Sequence, residues 1–190
     1  DPRVETRLMD GRAWLRRTSY TYDVVTLEPM APYFAGTNSL YSQEFYELVL
    51  ERLNTGGVVA QWLPFHLVSP HDSAAIARTF QTVFPESVLW VDPIDRTGIL
   101  IGHAGQSSHS LPSTRTSSAG DLTEQQVRDG FVLNAAQLKR YGELGPMITD
   151  DNQQLSYGPG RHDTWNKFYD NNAIHLFNLD VVQKIADGTL

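Results

Sequence analysis

The stretch 22–32 brings an acid to the end of a short apolar run. The run 22–27 is rich in Val and Leu, and Glu28, Pro29 and Pro32 follow it. Such a run is typical of a strand buried on both faces of a parallel sheet, and α/β folds bind ligands at the carboxyl ends of those strands. A carboxylate there can act as a general base, or it can accept hydrogen bonds from the backbone at the strand end. From the residues alone, both interpretations of Glu28 remain open.

Two more polar residues adjoin predicted strands. Asp10 precedes Gly11 and a predicted helix over 11–17, so it can bind a ligand amine or cap that helix. Gln61 interrupts the apolar run 58–65, and a buried amide needs a partner. A ligand and a neighbouring backbone group are equally suitable partners for Gln61.

Asp150 and Asp151 are adjacent and form the third candidate group. Neighbouring side chains in an extended segment point to opposite sides. At most one of these two carboxylates is therefore expected to face a pocket.

Several other kinds of chemistry lack the residues they need. The chain has no Cys, so disulfides, thiolate ligands and a Cys nucleophile are excluded. His66 and His71 are five residues apart across a proline, which is not the i, i+4 spacing of a metal-binding helix, and we expect no metal site. No Gly-x-Ser-x-Gly turn is present to anchor a hydrolase triad.

The charge of the chain favours a cationic ligand. The formal net charge is −7, and no basic cluster is larger than Arg16 and Arg17. We therefore expect no nucleic-acid partner.

Helices and strands alternate along the first half of the chain. We predict helices by their apolar spacing and by the caps Ser42 and Ser69, and strands by short apolar runs. The predicted strands are 4–10, 22–27 and 58–65, the helices are 11–17, 42–53 and 70–84, and a hairpin joins 87–92 to 97–102. This order predicts an α/β fold with a Rossmann-like, mostly parallel sheet and an antiparallel hairpin at its edge.

Residues 105–190 are expected to differ in structure from the alternating helices and strands of the first half. Residues 1–104 form the predicted core, 105–120 a flexible Ser- and Gly-rich loop, and 121–190 a helical extension that packs on the core. The last helices of this extension are predicted at 165–169 and 179–185, the latter with Val182 and Ile185 on its apolar face. No apolar run approaches the length of a membrane span, so we expect a cytoplasmic domain. No Gly-x-Gly-x-x-Gly turn occurs in the sequence.

Three stretches in this order resemble the spermidine synthase family of aminopropyltransferases. They are Asp10-Gly11, the run from Tyr22 through Glu28-Pro29 to Tyr46, and Gly56-Gly57-Val-Val-Ala-Gln61-Trp62. The resemblance covers residues 1–104 well, and the Asp150-Asp151 region loosely. It is closest to spermidine-synthase-like domains in which Glu-Pro replaces the usual Asp, and which occur alone or fused to a membrane segment.

The resemblance implies a methyltransferase-type sheet whose first, N-terminal strands are missing from this sequence. It implies transfer of an aminopropyl group from decarboxylated S-adenosylmethionine, as a co-substrate, to a diamine such as putrescine, in polyamine biosynthesis. Glu28 takes the catalytic role of the acid that helps to deprotonate the amine. The family's second acid in this turn is Ala31 here.

The resemblance also implies binding residues for both substrates. Asp10, Gly11 and Pro29 would bind the nucleoside donor, with Gly11 letting the backbone approach the adenine. Gln61 and Asp151 would face the acceptor amine. No permanently bound cofactor is implied. A homodimer, and a tether to a membrane-spanning segment of a longer chain, are further expectations.

Two other functions remain open at this point. One is a noncatalytic nucleoside- or polyamine-binding domain of a larger membrane-tethered protein. The other is an S-adenosylmethionine-dependent methyltransferase, since one fold can carry several activities. Whether the chain is an enzyme by itself is left open, because the Gly-rich donor turn is absent from it.

Overall fold

The computed structural model describes residues 1–32, 34, 36–105, 123–157 and 171–190. The described residues contain a five-stranded sheet with helices packed against it. The helices are α1 (Gly11–Arg17), α2 (Gln43–Glu51), α3 (Pro70–Val83), α4 (Glu124–Asp129), α5 (Ala135–Gly142), α6 (Gln154–Tyr157) and α7 (Asn171–Ala186), with a short 3-10 helix at Thr37–Leu40. The strands are β1 (Tyr22–Leu27), β2 (Leu53–Leu63), β3 (Val88–Val91), β4 (Gly98–His103) and β5 (Phe131–Leu133).

The strand order across the sheet is β1-β2-β4-β3-β5. β1 and β2 are parallel, whereas the three other neighbouring pairs are antiparallel. β1, β2 and β3 therefore run in one direction and β4 and β5 in the other. The α/β class, with a mixed Rossmann-like sheet and the predicted β3–β4 hairpin, is confirmed. The hairpin does not lie at the edge of the described sheet, because β5 pairs with β3 outside it.

Side-chain caps explain where the two main helices begin. The Ser42 hydroxyl accepts a hydrogen bond from the Phe45 amide at the start of α2, and Ser69 accepts from the Asp72 amide at the start of α3. Each hydroxyl satisfies an amide that the first helical turn leaves without a partner. Both predicted helices are confirmed.

The core lies on one face of the sheet. Val59, Leu63, Leu89 and Leu100 are fully buried there, beneath a layer formed by α2, α3 and α5. Residues on the opposite face of the same strands are only half-buried. The structure thus packs one sheet face tightly and leaves the other partly accessible.

The predicted strand at 4–10 is wrong. Residues 4–10 form no strand and are exposed, and Leu8 is fully so. A strand needs a neighbour to satisfy its backbone groups, and among the described residues no strand pairs with this segment.

The predicted burial of β1 on both faces is also wrong. β1 is an edge strand within the described sheet, and Val24 is 61% exposed. The predicted helix 42–53 extends too far at its C-terminal end, and residues 54–57 follow it directly. Instead α2 ends at Glu51, and these residues already belong to β2, where the register with β1 shifts.

The second half adds a strand as well as helices. β5 lies beside β3 at the sheet edge, which the prediction of a helical extension missed. α7 begins before the predicted start at residue 179, and Val182 and Ile185 pack in the core as expected. The division at residue 104 stays a prediction, and residues 106–120 and the helix predicted at 165–169 lie outside the described residues.

Within the described ranges, no helix combines the length and apolar character needed to cross a bilayer.

Gly145 tests the packing of the second half on α3. A Cβ at this position would lie 2.5 Å from the His71 carbonyl oxygen, inside van der Waals contact with the backbone of α3. We expect Gly145→Ala to lower the free energy of unfolding by about 1–3 kcal/mol, because the backbone has to move to accept the methyl group. Urea unfolding measures the change. Gly11→Ala is the control, since no atom of the described residues lies within 4 Å of its Cβ position, and an equal loss in both variants would contradict this packing.

Candidate active site

Glu28 directly follows β1, at the carboxyl end of the parallel strands β1 and β2. Its side chain is exposed, and Pro29 behind it is half-buried. Among the described residues, no hydrogen bond or ion pair engages the Glu28 carboxylate. The structure therefore does not show Glu28 accepting a hydrogen bond from the backbone. Its carboxylate is accessible to a ligand.

Gln61 supports the end of β1 from inside the sheet. It is fully buried and lies opposite Leu27 in the β1–β2 register. Its Nε2 donates to the carbonyl oxygens of Trp62 at 2.9 Å and Leu27 at 3.5 Å. The Tyr46 hydroxyl donates to its Oε1 at 3.4 Å. The partners of the amide are thus protein groups, and a role in binding an amine stays a prediction.

The surroundings of Tyr46 keep its hydroxyl protonated, so the hydroxyl can donate a hydrogen bond. Burial of the ring raises the pKa of Tyr46 well above its ordinary value, and the nearby Tyr41 adds to the rise. Its hydroxyl keeps its proton at neutral pH. The amide of Gln61 therefore has a permanent hydrogen-bond donor on α2.

Asp10 acts as the cap of α1. Its carboxylate accepts a 2.6 Å hydrogen bond from the Ala13 amide, and the side chain is exposed. Gly11 follows and has open space where a Cβ would be. The cap interpretation of Asp10 is confirmed, and its contact with a nucleoside remains a prediction.

A pocket of about 370 Å³ opens beside Gly11. Aromatic side chains form much of its wall, namely Trp14, Tyr20 and Tyr22. The Trp14 indole donates to the Tyr22 hydroxyl at 2.9 Å, which holds the two rings together. A wall of this kind suits a planar base.

Asp150, and not Asp151, is the acid that other side chains engage. Both of its carboxylate oxygens accept from the Arg12 guanidinium, at 2.7 and 2.5 Å. The Ser42 hydroxyl donates to the same carboxylate at 2.7 Å. These bonds, led by those of Arg12, hold the pKa of Asp150 below its usual range despite partial burial. Asp151 is exposed, and its substrate role stays a prediction.

Arg12 is the residue that sequence reasoning missed. It lies on the buried face of α1 with Leu15, three residues later, and only 8% of it is exposed. A charged residue at the apolar spacing of a helix needs a charged partner, and that spacing is the signal that could have drawn attention to it. Its partner Asp150 is 138 residues away in the sequence, and no local sequence pattern identifies such a partner.

Arg12 and Asp150 connect three segments that carry predicted site residues. Arg12 lies beside Asp10 and Gly11 in α1. It also donates to the Ser39 carbonyl oxygen at 2.7 Å, in the connection that begins with Glu28. Asp150 precedes Asp151. Within the described chain, no direct hydrogen bond joins Glu28, Asp10 and Asp151 to one another.

A second, larger cleft of about 800 Å³ lies between α7 and the β3–β4 turn. His66 and His175 face each other there, with ring centroids 6.4 Å apart, and burial lowers the pKa of both imidazoles. Asp95 and Arg96 also line the cleft. Among the described residues, no three His, Asp or Glu side chains are grouped as metal ligands.

The fold is that of a Rossmann-like domain of the methyltransferase type. The model of the spermine/spermidine synthase domain matches residues 1–94. Over these residues, the chain is similar to the spermidine synthase family.

Three relatives are similar to the chain. Polyamine aminopropyltransferase 2 of Pseudomonas aeruginosa is 43% identical over 88 residues, which are 45% of this chain and 25% of that protein. Polyamine aminopropyltransferase 1 of Streptomyces coelicolor is 27% identical over 164 residues, 83% of this chain and 30% of the relative. The polyamine aminopropyltransferase of Nitrosomonas europaea is 37% identical over 79 residues, 41% and 23% respectively. The chain thus spans about a quarter to a third of the length of these relatives.

Asp150→Asn tests the ion pair through its pH dependence. The folded state holds the pKa of Asp150 below its unfolded value, so the pair adds stability above about pH 4, the usual range of an Asp carboxyl, and loses it as the pH falls through the lower folded value. We expect the variant to lose about 1 kcal/mol at pH 7, discounted for the partial exposure of the carboxyl. Urea unfolding at a series of pH values measures the difference, which should vanish in acid. A difference that is constant with pH would contradict the charge-based account.

Proposed function

We propose that the chain is the part of a polyamine aminopropyltransferase that carries the catalytic acid. The reaction transfers an aminopropyl group from decarboxylated S-adenosylmethionine to a diamine such as putrescine. The family match and the names of the three relatives support this class of reaction. The observation that carries the proposal is the exposed Glu28 carboxylate, unpartnered among the described residues, at the carboxyl end of a parallel strand.

Glu28 supplies what the acceptor requires. A diamine is protonated at neutral pH and cannot attack until one nitrogen loses its proton. A carboxylate within hydrogen-bond reach holds the ammonium group and accepts that proton as a general base. Because no described protein group competes for the carboxylate, its oxygens are available to the amine.

The step balances without a further reactant. The neutral amine nitrogen forms a bond to the propyl carbon that is attached to the sulfonium. The carbon–sulfur bond breaks, and its electron pair goes to sulfur, which leaves as the neutral thioether 5′-methylthioadenosine. The proton that the amine gave up is on Glu28, from which it passes to water.

The donor is proposed to lie beside the start of α1. Asp10 would accept from the adenine amine with a carboxylate oxygen, and Gly11 lets the base approach the backbone. The aromatic wall formed by Trp14, Tyr20 and Tyr22 supports the binding of a planar base there. Pro29 would complete this side of the site.

The acceptor is proposed to extend from Glu28 towards Asp151. Ala31 is buried and replaces the family's second acid, so the distal ammonium group needs a different carboxylate. Asp151 is exposed and follows the segment that Arg12 and Asp150 tie to the Glu28 connection. Gln61 would accept from the amine with its Oε1, the atom that accepts from the Tyr46 hydroxyl in the structure.

The overall charge supports two cationic substrates. The net charge of −7 attracts both a sulfonium and a diamine over long range. This effect weakens as salt is added.

An assembly of two copies of the chain stays a prediction.

Calorimetry separates this proposal from the methyltransferase alternative. The longest natural polypeptide that contains this chain is titrated with decarboxylated S-adenosylmethionine, S-adenosylmethionine and putrescine. We expect heat with the first and third compounds. Tighter binding of S-adenosylmethionine would favour a methyltransferase, and no heat with any compound would contradict both enzymatic functions.

Glu28→Gln tests the proposed base. The amide keeps the shape of the side chain but cannot take a proton, so we expect the transfer rate to fall by about 10²–10⁴-fold. Affinity for the donor, measured by calorimetry, should be unchanged. Glu51→Gln is the matched control, because Glu51 is also exposed and lies at the end of α2. Loss of both transfer and donor affinity in Glu28→Gln would contradict a role confined to the amine.

A further inference from the structure

We propose that Arg12 and Asp150 are a positioning pair, which holds the start of α1 in register with the connection that follows Glu28. This inference rests on the proposed function, because the pair would position the residues that are proposed to bind the donor. Neither residue needs to touch substrate. They act through Asp10 and Gly11, which directly precede Arg12 in the chain.

The pair links the start of α1 to two segments that are joined to each other without it. The Gln43 amide donates to the Ile148 carbonyl oxygen at 2.9 Å, and the Leu155 amide donates to the Asn38 side chain at 3.0 Å. The segments 38–44 and 148–155 are therefore joined by bonds of their own. Arg12 adds α1 to this unit.

Arg12 reaches both parts of that unit at once. One terminal nitrogen donates to the Ser39 carbonyl oxygen and to Asp150, and the other donates to Asp150. The guanidinium carbon lies 5.9 Å from the centre of the Phe45 ring. A planar guanidinium with several donors fits this arrangement, whereas the point charge of a Lys does not.

The energetics favour a positioning role over a purely stabilising one. An ion pair loses stability to the extent that its charges lose their hydration, and this cost falls mainly on Arg12, because 34% of the Asp150 side chain is exposed. The Arg12 Nε is buried without a hydrogen-bond partner in the described structure, which is a further cost. What the pair provides is one defined placement of three segments that are far apart in sequence.

The other end of α1 is held separately. The Arg52 Nε donates to the Leu15 carbonyl oxygen at 2.8 Å, near the C-terminal end of α1. Arg52 therefore tethers the same helix, but away from Asp10 and Gly11. It offers a matched control, because its loss removes an arginine tether of α1 and leaves the proposed donor side in place.

The experiment compares Arg12→Met, Arg12→Lys and Arg52→Met in the longest natural polypeptide. The probe is 5′-methylthioadenosine, and calorimetry measures its dissociation constant. We expect Arg12→Met to weaken binding by about tenfold, the effect of losing the proposed hydrogen bond between the displaced Asp10 carboxylate and the adenine amine. Arg12→Lys should restore part of the affinity, and Arg52→Met should leave it unchanged. Equal losses in Arg12→Met and Arg52→Met would overturn the proposal.

Hydrogen exchange gives a second readout that does not depend on the ligand. In Arg12→Met, we expect faster exchange at the amides of 11–14 and of 39–42, with β2 and β4 unchanged. Faster exchange throughout the molecule would mean general destabilisation and would overturn the proposal. If the unaltered protein does not bind 5′-methylthioadenosine, the proposed function fails, and the exchange pattern alone decides whether the pair holds these segments.

Discussion

The bidentate ion pair between Arg12 and Asp150 is the interaction on which the candidate site depends. The residues with predicted roles lie in segments that no sheet pairing brings together, because α1, the connection after β1 and the turn at 148–155 are all outside the strands. A guanidinium that binds a carboxylate in a fork fixes direction as well as distance. Its additional bond to Ser39 extends that constraint to the third segment. Residues separated by more than a hundred positions thereby acquire one geometry.

The parallel pairing of β1 and β2 is the second constraint, and it determines where Glu28 lies. The strands end at a common edge, and the amide of Gln61 bonds to the carbonyl of Leu27 within that edge. Glu28 is the first residue beyond this support. The strand β1 therefore ends one residue before Glu28. A side chain next to a rigid strand has a reproducible position, which a catalytic group requires.

Local signals predicted the local structure well. The caps at Ser42 and Ser69 and the apolar spacing after them suffice to place α2 and α3, because capping and helical periodicity are properties of a few neighbouring residues. Features that depend on distant partners could not be predicted in this way. The segment 4–10 has the pattern of a strand but no neighbour in the described sheet, and the short strand β5 is defined only by β3. For the same reason, the residues alone could not show which of Asp150 and Asp151 other side chains engage, and the contact of Asp150 with Arg12 distinguishes the two.

The central claim is that the acid edge of this sheet serves aminopropyl transfer. The most direct measurement is product analysis by mass spectrometry, after the longest natural polypeptide containing this chain has been incubated with decarboxylated S-adenosylmethionine and putrescine. The account predicts equimolar 5′-methylthioadenosine and a triamine lengthened by one aminopropyl group. Binding of both substrates without either product, or a methylated amine formed from S-adenosylmethionine instead, would contradict it.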